Sequence, residues 1–286
     1  MNKKFSSEIF EIIQELLNIL ESDLNRQETE ITREQFLAIR LMESMNERNK
    51  TIFLLDELGN LDGILPLQRT FFELYIALMT YASADDKASY CKCYYAKVEW
   101  RQADLLISKK RFDQSEDCED DFRLLITELN KEKGTSYTSF EEWKKASQDE
   151  ICNSNPKLKK FDLSWYEISS GRKIKELSEE LGMEDAHWLY YKEASEWIHT
   201  NRLLQVSNTQ QSEIIKITNI GFLNRAICEV LSSFFNILPI PQCEFSEKSK
   251  DDLMTLYKIG KLSEKLGHIG NDLKKQLDEH SLQIRG

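Results

Sequence analysis

The sequence predicts an all-α protein, a multi-helix bundle with mostly antiparallel helices, and two observations support that fold class. Its 286 residues include only ten glycines and four prolines, the two residues that most often interrupt helices. Between them, apolar side chains recur three and four positions apart, which is the spacing of one helix face. A chain of this length can bury a large core, as one helical domain or as two smaller ones.

The first two helices are predicted over residues 7–24 and 32–57. The first carries an apolar stripe of isoleucine and leucine, as an amphipathic helix does. The second opens with Thr32 and, three residues later, Gln35, which is the pattern of a capping box. We predict that residues 1–58 form an N-terminal helical hairpin packed on a core domain, residues 59–286.

The core domain is predicted to begin with a turn at Gly59 and Gly63. Pro66 follows where the first turn of a helix accepts proline, and we expect one long helix from there towards Ile107. A less regular insertion is predicted over about residues 109–171, because this stretch carries the acidic run 116–121 and a loop-like Asn-Ser-Asn-Pro sequence.

Four further helices are predicted after the insertion. A short amphipathic one ends at Gly182, and the next starts near Glu184. An apolar helix over about residues 213–238 then stops at a Pro-Ile-Pro sequence, and a charged helix over 248–283 closes the chain.

Charge and cysteine usage predict a cytoplasmic protein that does not enter a membrane. The apolar region 214–243 contains Lys216, Arg225 and Glu229, and these charges exclude a bilayer-spanning helix. The N-terminal segment is an acidic amphipathic helix rather than a signal peptide, and the six cysteines include no C-x-x-C pair. A net charge of −11 disfavours a protein that binds nucleic acid over its whole surface, so no DNA partner is expected.

Several common site classes have no support in the sequence. H-E-x-x-H, Walker A and G-x-G-x-x-G patterns are absent, so we predict no cofactor. The acidic run 116–121 lacks the spacing of metal ligands, and we predict no metal site. A serine hydrolase is disfavoured because no G-x-S-x-G turn is present.

Two short motifs instead place polar side chains on apolar helix faces. In the first, Arg69 and Glu73 are four residues apart; in the second, Ser195 and His199 are four apart, after Tyr190 and Tyr191. This spacing brings side chains together on one side of a helix. If the two helices face each other, these groups form one polar site, with Trp188 on the same side as Tyr191.

Candidate roles follow from the chemistry of these side chains. His199 is the candidate proton-transfer group, with Arg69, Glu73 and Ser195 beside it, whereas Arg69 and the two tyrosines, Tyr190 and Tyr191, are candidate ligand-binding residues. A structural alternative stays open for both motifs. Arg69 and Glu73 could simply join two helices, and His199 could be a hydrogen-bonded core histidine.

The same motifs, within residues 60–220, resemble an all-helical bacterial family of unknown function. Its pattern is arginine-x-x-x-glutamate followed far downstream by tyrosine, serine and histidine, here Arg69, Glu73, Tyr191, Ser195 and His199. Its layout is similar to HEPN-type helical domains, whose ribonucleases carry an arginine four to six residues before a histidine. None of the four histidines here follows an arginine at that distance.

Three alternative functions from different classes stay open. The first is a helical interaction or regulatory module, with a protein partner or as a homodimer, of a phage-defence or toxin–antitoxin system. The second is a metal-independent ribonuclease or nucleotide-modifying toxin that uses His199 and Arg69 on a nucleotide or RNA. The third is a sensor that captures an anionic metabolite at Arg69, Tyr191 and Ser195.

Overall fold

The computed structural model describes residues 31–112, 116–154, 163–192 and 209–235, together with positions 15, 18 and 195. Every regular element in these ranges is helical and none is a strand, which confirms the predicted all-α fold class. In chain order the α-helices are α1 (Arg33–Glu57), α2 (Ile64–Ser83), α3 (Lys87–Phe112), α4 (Glu116–Lys133), α5 (Phe140–Ser154), α6 (Trp165–Ser170), α7 (Ile174–Glu180), α8 (Glu184–Ala186) and α9 (Thr209–Phe235). A 3-10 turn (Leu61–Gly63) precedes α2, and a π-helical turn (His187–Lys192) follows α8.

The chain divides into two compact units. Unit 1 comprises Met1–Ser83 and Ile174–Gly286, and unit 2 comprises Ala84–Lys173. The stretch in which we predicted an insertion contains the end of α3 and the helices α4, α5 and α6. The helix predicted over residues 248–283 lies outside the described residues, as does the helix predicted over residues 7–24 except for positions 15 and 18.

The start of α1 confirms the predicted capping box. The Thr32 hydroxyl accepts a hydrogen bond from the backbone N–H of Gln35 at 3.2 Å, and the Gln35 side-chain oxygen accepts one from the backbone N–H of Thr32 at 3.0 Å. Two amide groups at the open end of the helix are thereby satisfied. The Gln35 amide nitrogen also donates to the carbonyl of Phe234 at 3.1 Å, which joins the start of α1 to the end of α9.

The single long helix predicted from Pro66 towards Ile107 is wrong, because the chain forms two helices there. The first, α2, ends at Ser83, whose hydroxyl donates to the carbonyl of Met79 at 3.0 Å. The second, α3, starts at Lys87, and the Asp86 carboxylate accepts from the backbone N–H of Ser89 at 2.9 Å. Short polar side chains of this kind bond to the backbone and favour helix ends over helix interiors.

In unit 1, α1, α2 and α9 pack against one another around an apolar core. α1 runs antiparallel to α9, because Gln35 contacts Phe234 at one end and Asp56 contacts Lys216 at the other. Fully buried aromatic rings on α2 fill the centre: Phe71, Phe72, Tyr75 and Tyr81. Such rings contribute most of the apolar area that a helical core removes from water.

A layer of polar side chains crosses this three-helix core. The amides of Gln68 and Asn219 donate to each other at 2.8 Å, and Asn219 also donates to Asn49 at 3.2 Å. One turn away along α9, the fully buried ammonium of Lys216 pairs with the Asp56 carboxylate. Each of these contacts joins two different helices, so the layer fixes how the three helices are rotated against each other.

Unit 2 is built mainly on the packing of α3 against α5. Its larger apolar cluster consists of Ala103, Ile107, Phe122, Phe140 and Trp143.

No helix in the described ranges is long and apolar enough to cross a membrane.

Candidate functional site

Arg69 lies at the edge of the buried face of α2. Its neighbours Gln68, Phe71 and Phe72 are fully buried, whereas the Arg69 side chain is 23% exposed. Burial lowers the pKa of Arg69, but Tyr191 and Glu73 together outweigh this effect and raise the pKa above its usual value. The guanidinium therefore stays charged while part of it faces solvent.

Residues from both sequence motifs meet at this guanidinium. Arg69 Nε donates to Glu73 Oε1 at 3.1 Å, Nη1 donates to Ser195 Oγ at 3.2 Å, and Nη2 donates to the Tyr191 hydroxyl at 3.3 Å. The Arg69 Cζ also lies 4.6 Å from the centroid of the Tyr191 ring, within the range of a cation–π contact. The structure thus brings together four of the predicted site residues, and all four belong to unit 1.

The hydrogen bonds leave this site rich in unused donors. A guanidinium has five N–H groups, and three of them are engaged by Glu73, Ser195 and Tyr191. The two hydroxyls accept from Arg69, so their own hydrogens point away from it. Two N–H groups and two O–H groups are consequently available to a ligand as far as the described residues go.

A π-helical turn carries Tyr191 into this position. Over His187–Lys192 the backbone is wider than an α-helix, because a π-helix closes its hydrogen bonds across five residues rather than four. This spacing corrects the prediction that Trp188 shares the inward side with Tyr191. Trp188 is 54% exposed, and Tyr190 is buried.

Tyr190 anchors the π-helical turn to the core and does not contact Arg69. Its hydroxyl donates to Thr218 Oγ1 at 2.9 Å, and its ring lies 6.4 Å from that of Phe72 and 6.2 Å from that of Phe222. Burial raises the pKa of Tyr190. The prediction that Tyr190 binds a ligand stays a prediction.

His187 lies beside the site and was not predicted from the sequence. Its ring stacks on that of Tyr191 with centroids 5.1 Å apart and planes 20° apart. Burial lowers the pKa of His187, as do Lys175 and Lys192, while Glu179 opposes them. The four-residue spacing of His187 and Tyr191 was the available signal, since it equals the spacing used for Arg69 and Glu73. His199 lies outside the described residues.

Among the described residues, the groups around Arg69 do not form a set of metal ligands. Within the described ranges, no three side chains of His, Cys, Asp or Glu are grouped closely enough to bind a metal ion. At Arg69 itself, Glu73 is the carboxylate in contact, and its partners Tyr191 and Ser195 are neutral hydroxyls.

Comparison with known proteins identifies the family. No curated protein and no solved structure matches the chain. The model of DUF5677, a family of unknown function, matches residues 35–212. That range contains Arg69, Glu73, Tyr191 and Ser195 and exceeds half of the chain. The chain therefore belongs to the family of unknown function DUF5677.

Proposed function

We propose that this protein is a helical ligand-binding protein that holds the anionic group of a small ligand, a phosphate or a carboxylate, on Arg69. Arg69 is the recognition group, and the hydroxyls of Tyr191 and Ser195 orient it and contribute their own hydrogens to the ligand. Glu73 holds the guanidinium from its Nε edge. This role develops the sensor alternative predicted from the sequence.

The observation that carries the proposal is the surplus of hydrogen-bond donors around a fixed cation. Arg69 donates to two neutral hydroxyls and to one carboxylate oxygen. A hydroxyl that accepts a hydrogen bond from a cation directs its own hydrogen away from that cation. Four donors around Arg69 without acceptors among the described residues favour a ligand with several acceptor oxygens, and charge-assisted bonds to an anion are the strongest of that kind.

The arrangement is also more than a helix-joining ion pair requires. Glu73 engages Arg69 through Nε alone, at 3.1 Å, and leaves both terminal nitrogens to hydroxyl partners. A planar guanidinium binds a carboxylate or phosphate in a two-pronged manner through such terminal nitrogens. Because the Arg69 side chain is 23% exposed, an anion from solvent can approach it without separating α2 from the π-helical turn.

Ligand binding can be tested directly with two simple anions. Inorganic phosphate and citrate are added to the purified protein, and the rise in melting temperature and the heat of binding are measured. Arg69→Gln is expected to abolish the response, and Arg69→Lys to reduce it, because a lysine keeps the charge but loses the planar pair of donors. Tyr191→Phe combined with Ser195→Ala should also weaken it.

A matched control comes from the same unit. Arg40 on α1 pairs with Glu43 at 2.6 Å and is 58% exposed, so Arg40→Gln removes one positive charge far from the described contacts of Arg69. It should keep the full response to both anions. If Arg69→Gln responds to phosphate and citrate as strongly as Arg40→Gln does, the proposed function is wrong.

A ribonuclease is a second candidate, and the position of His187 favours it. A neutral imidazole can accept a proton near neutral pH, and the lowered pKa of His187 keeps its ring neutral there. In such an enzyme Arg69 would stabilise phosphate charge. Cleavage of a labelled single-stranded RNA by the wild type, lost in His187→Gln or in His199→Gln, would select this candidate. If the wild type does not cleave the RNA, the ribonuclease candidate is wrong and the ligand-binding proposal remains.

The roles in protein interaction, phage defence and toxin–antitoxin systems, and the homodimer, stay predictions from the family resemblance. Growth of cells that express the protein tests them together. Growth arrest relieved by Arg69→Gln would link the site to a toxic activity.

A further inference from the structure

Two asparagines on α1 are buried with unsatisfied polar atoms. Asn46 is 1% exposed and Asn49 is fully buried. Both side-chain polar atoms of Asn46, and the amide nitrogen of Asn49, have no hydrogen-bond partner in the described part of the chain. Buried polar groups in folded proteins nearly always have a partner, so these atoms call for one.

These atoms continue the amide layer of the unit 1 core. Asn49 Oδ1 accepts from Asn219 Nδ2 at 3.2 Å, and Asn219 exchanges two hydrogen bonds of 2.8 Å with Gln68. Asn46 lies one turn from Asn49 on the same face of α1, with Cβ atoms about 5–6 Å apart. The unsatisfied atoms are therefore neighbours at one end of a chain of paired amides.

We propose that ordered water molecules bind inside unit 1 between Asn46 and Asn49. One water accepts a hydrogen bond from Asn49 Nδ2 and donates to Asn46 Oδ1. A second water accepts from Asn46 Nδ2. Buried waters in globular proteins make about three hydrogen bonds each and occupy sites lined by otherwise unsatisfied polar groups. The amide chain from Gln68 to Asn46 is completed in this way.

The chemistry of the layer favours a neutral occupant over an ion. Gln68, Asn219, Asn49 and Asn46 are all uncharged, and a buried ion without a countercharge is costly. The buried ammonium of Lys216, one turn from Asn219 on α9, is already paired with Asp56. Amides offer both donors and acceptors, which is what water requires.

Nuclear magnetic resonance on the full-length protein tests the proposal. The side-chain amide protons of Asn46 and Asn49 are expected to show cross-peaks with water. The sign of these cross-peaks should be that of a water molecule that stays bound and tumbles with the protein. The methyl group of Met45, which is fully buried on the same helix, serves as the control and should show none. Assigned amide protons of both asparagines without such cross-peaks would overturn the proposal.

A substitution gives a second, independent measurement. Asn46→Leu is close in size and removes the two unsatisfied polar atoms. In a dry core this change should raise the urea midpoint, since unpaired polar groups are eliminated. In a hydrated core Asn46→Leu should not raise the urea midpoint, because the water held by Asn49 loses a hydrogen-bond partner. The water cross-peak of the Asn49 amide should also weaken. Met45→Leu reports the effect of side-chain shape alone. A midpoint of Asn46→Leu above the wild type would refute the water site.

Discussion

Arg69 contacts Tyr191 twice, once through its hydroxyl and once through its ring. Arg69 Nη2 donates to the hydroxyl at 3.3 Å, and the guanidinium carbon lies 4.6 Å from the ring centroid. The two residues are 122 positions apart in the chain, so this double contact is a tertiary link between α2 and the π-helical turn.

Tyr191→Phe separates the two halves of that link. The ring stays and the hydroxyl is lost, so we expect the free energy of unfolding to fall by about 1 kcal/mol, the usual size of one hydrogen bond. Tyr191→Leu loses the ring contact as well and should cost about 1 kcal/mol more. Urea denaturation measures both. Tyr137→Phe is the control, because the hydrogen bonds that Tyr137 makes to described residues go through its backbone carbonyl and N–H, and it should leave the midpoint unchanged.

Glu73→Ala tests the strength of the ion pair with Arg69. The two side chains are 23% and 33% exposed, so the pair is neither buried nor fully solvated. We expect a loss of about 1 kcal/mol, because solvent reduces the cost of leaving Arg69 without its carboxylate. The control Glu43→Ala breaks a pair with Arg40, which is 58% exposed, and should cost less than about 0.5 kcal/mol. Equal losses in the two variants would contradict the partial burial of Arg69.

His187 should make stability depend on pH in a definite direction. Its pKa is lowered from 6.5 by burial and by Lys175 and Lys192, so below 6.5 the unfolded chain binds a proton that the folded protein does not. The contribution is fully present above pH 6.5 and is lost as the pH falls through the folded pKa. The stability of the wild type relative to His187→Gln should therefore decrease on acidification. A folded pKa of 6.5 or higher, measured by NMR titration of the His187 ring, would contradict this.

The buried pair of Lys216 and Asp56 should respond unequally to loss of either partner. Lys216 is fully buried, whereas the Asp56 side chain is 15% exposed and also accepts from Ser212 at 2.6 Å. Asp56→Ala removes the carboxylate from a buried ammonium and should cost about 3 kcal/mol. Lys216→Met leaves a carboxylate that Ser212 and solvent still reach, and it should cost less. Guanidinium denaturation of both variants measures the two losses in the free energy of unfolding. A larger loss in Lys216→Met than in Asp56→Ala would contradict the deeper burial of Lys216.

Local signals in the sequence predicted local structure well. The capping box of Thr32 and Gln35 depends on residues three apart, so the sequence alone contains the whole motif. The contact of Arg69 with Glu73 follows in the same way from four-residue spacing. The contact of Arg69 with Ser195 spans 126 residues. It could be predicted because a polar group on an apolar helix face requires a partner from another part of the chain.

Two features had no comparable signal. The break between α2 and α3 lies at Ser83 to Asp86, a stretch without glycine or proline, so it could be recognised only through side chains that bond to the backbone. The π-helical turn at His187–Lys192 has no distinctive composition, and an assumed 3.6 residues per turn misplaces Trp188. His187 is a different case, because its four-residue spacing from Tyr191 was a signal in the sequence that the prediction did not use.

The π-helical turn has an evolutionary consequence for the site. Such a turn is equivalent to one residue more than an α-helix needs for the same rise, and a single deletion within residues 187–192 would restore regular winding. In a regular α-helix one residue added or removed rotates everything that follows by about 100°, whereas the π-helical turn takes up one residue without that rotation. The turn therefore allows the number of residues between His187 and Ser195 to change by one while Ser195 stays directed at Arg69.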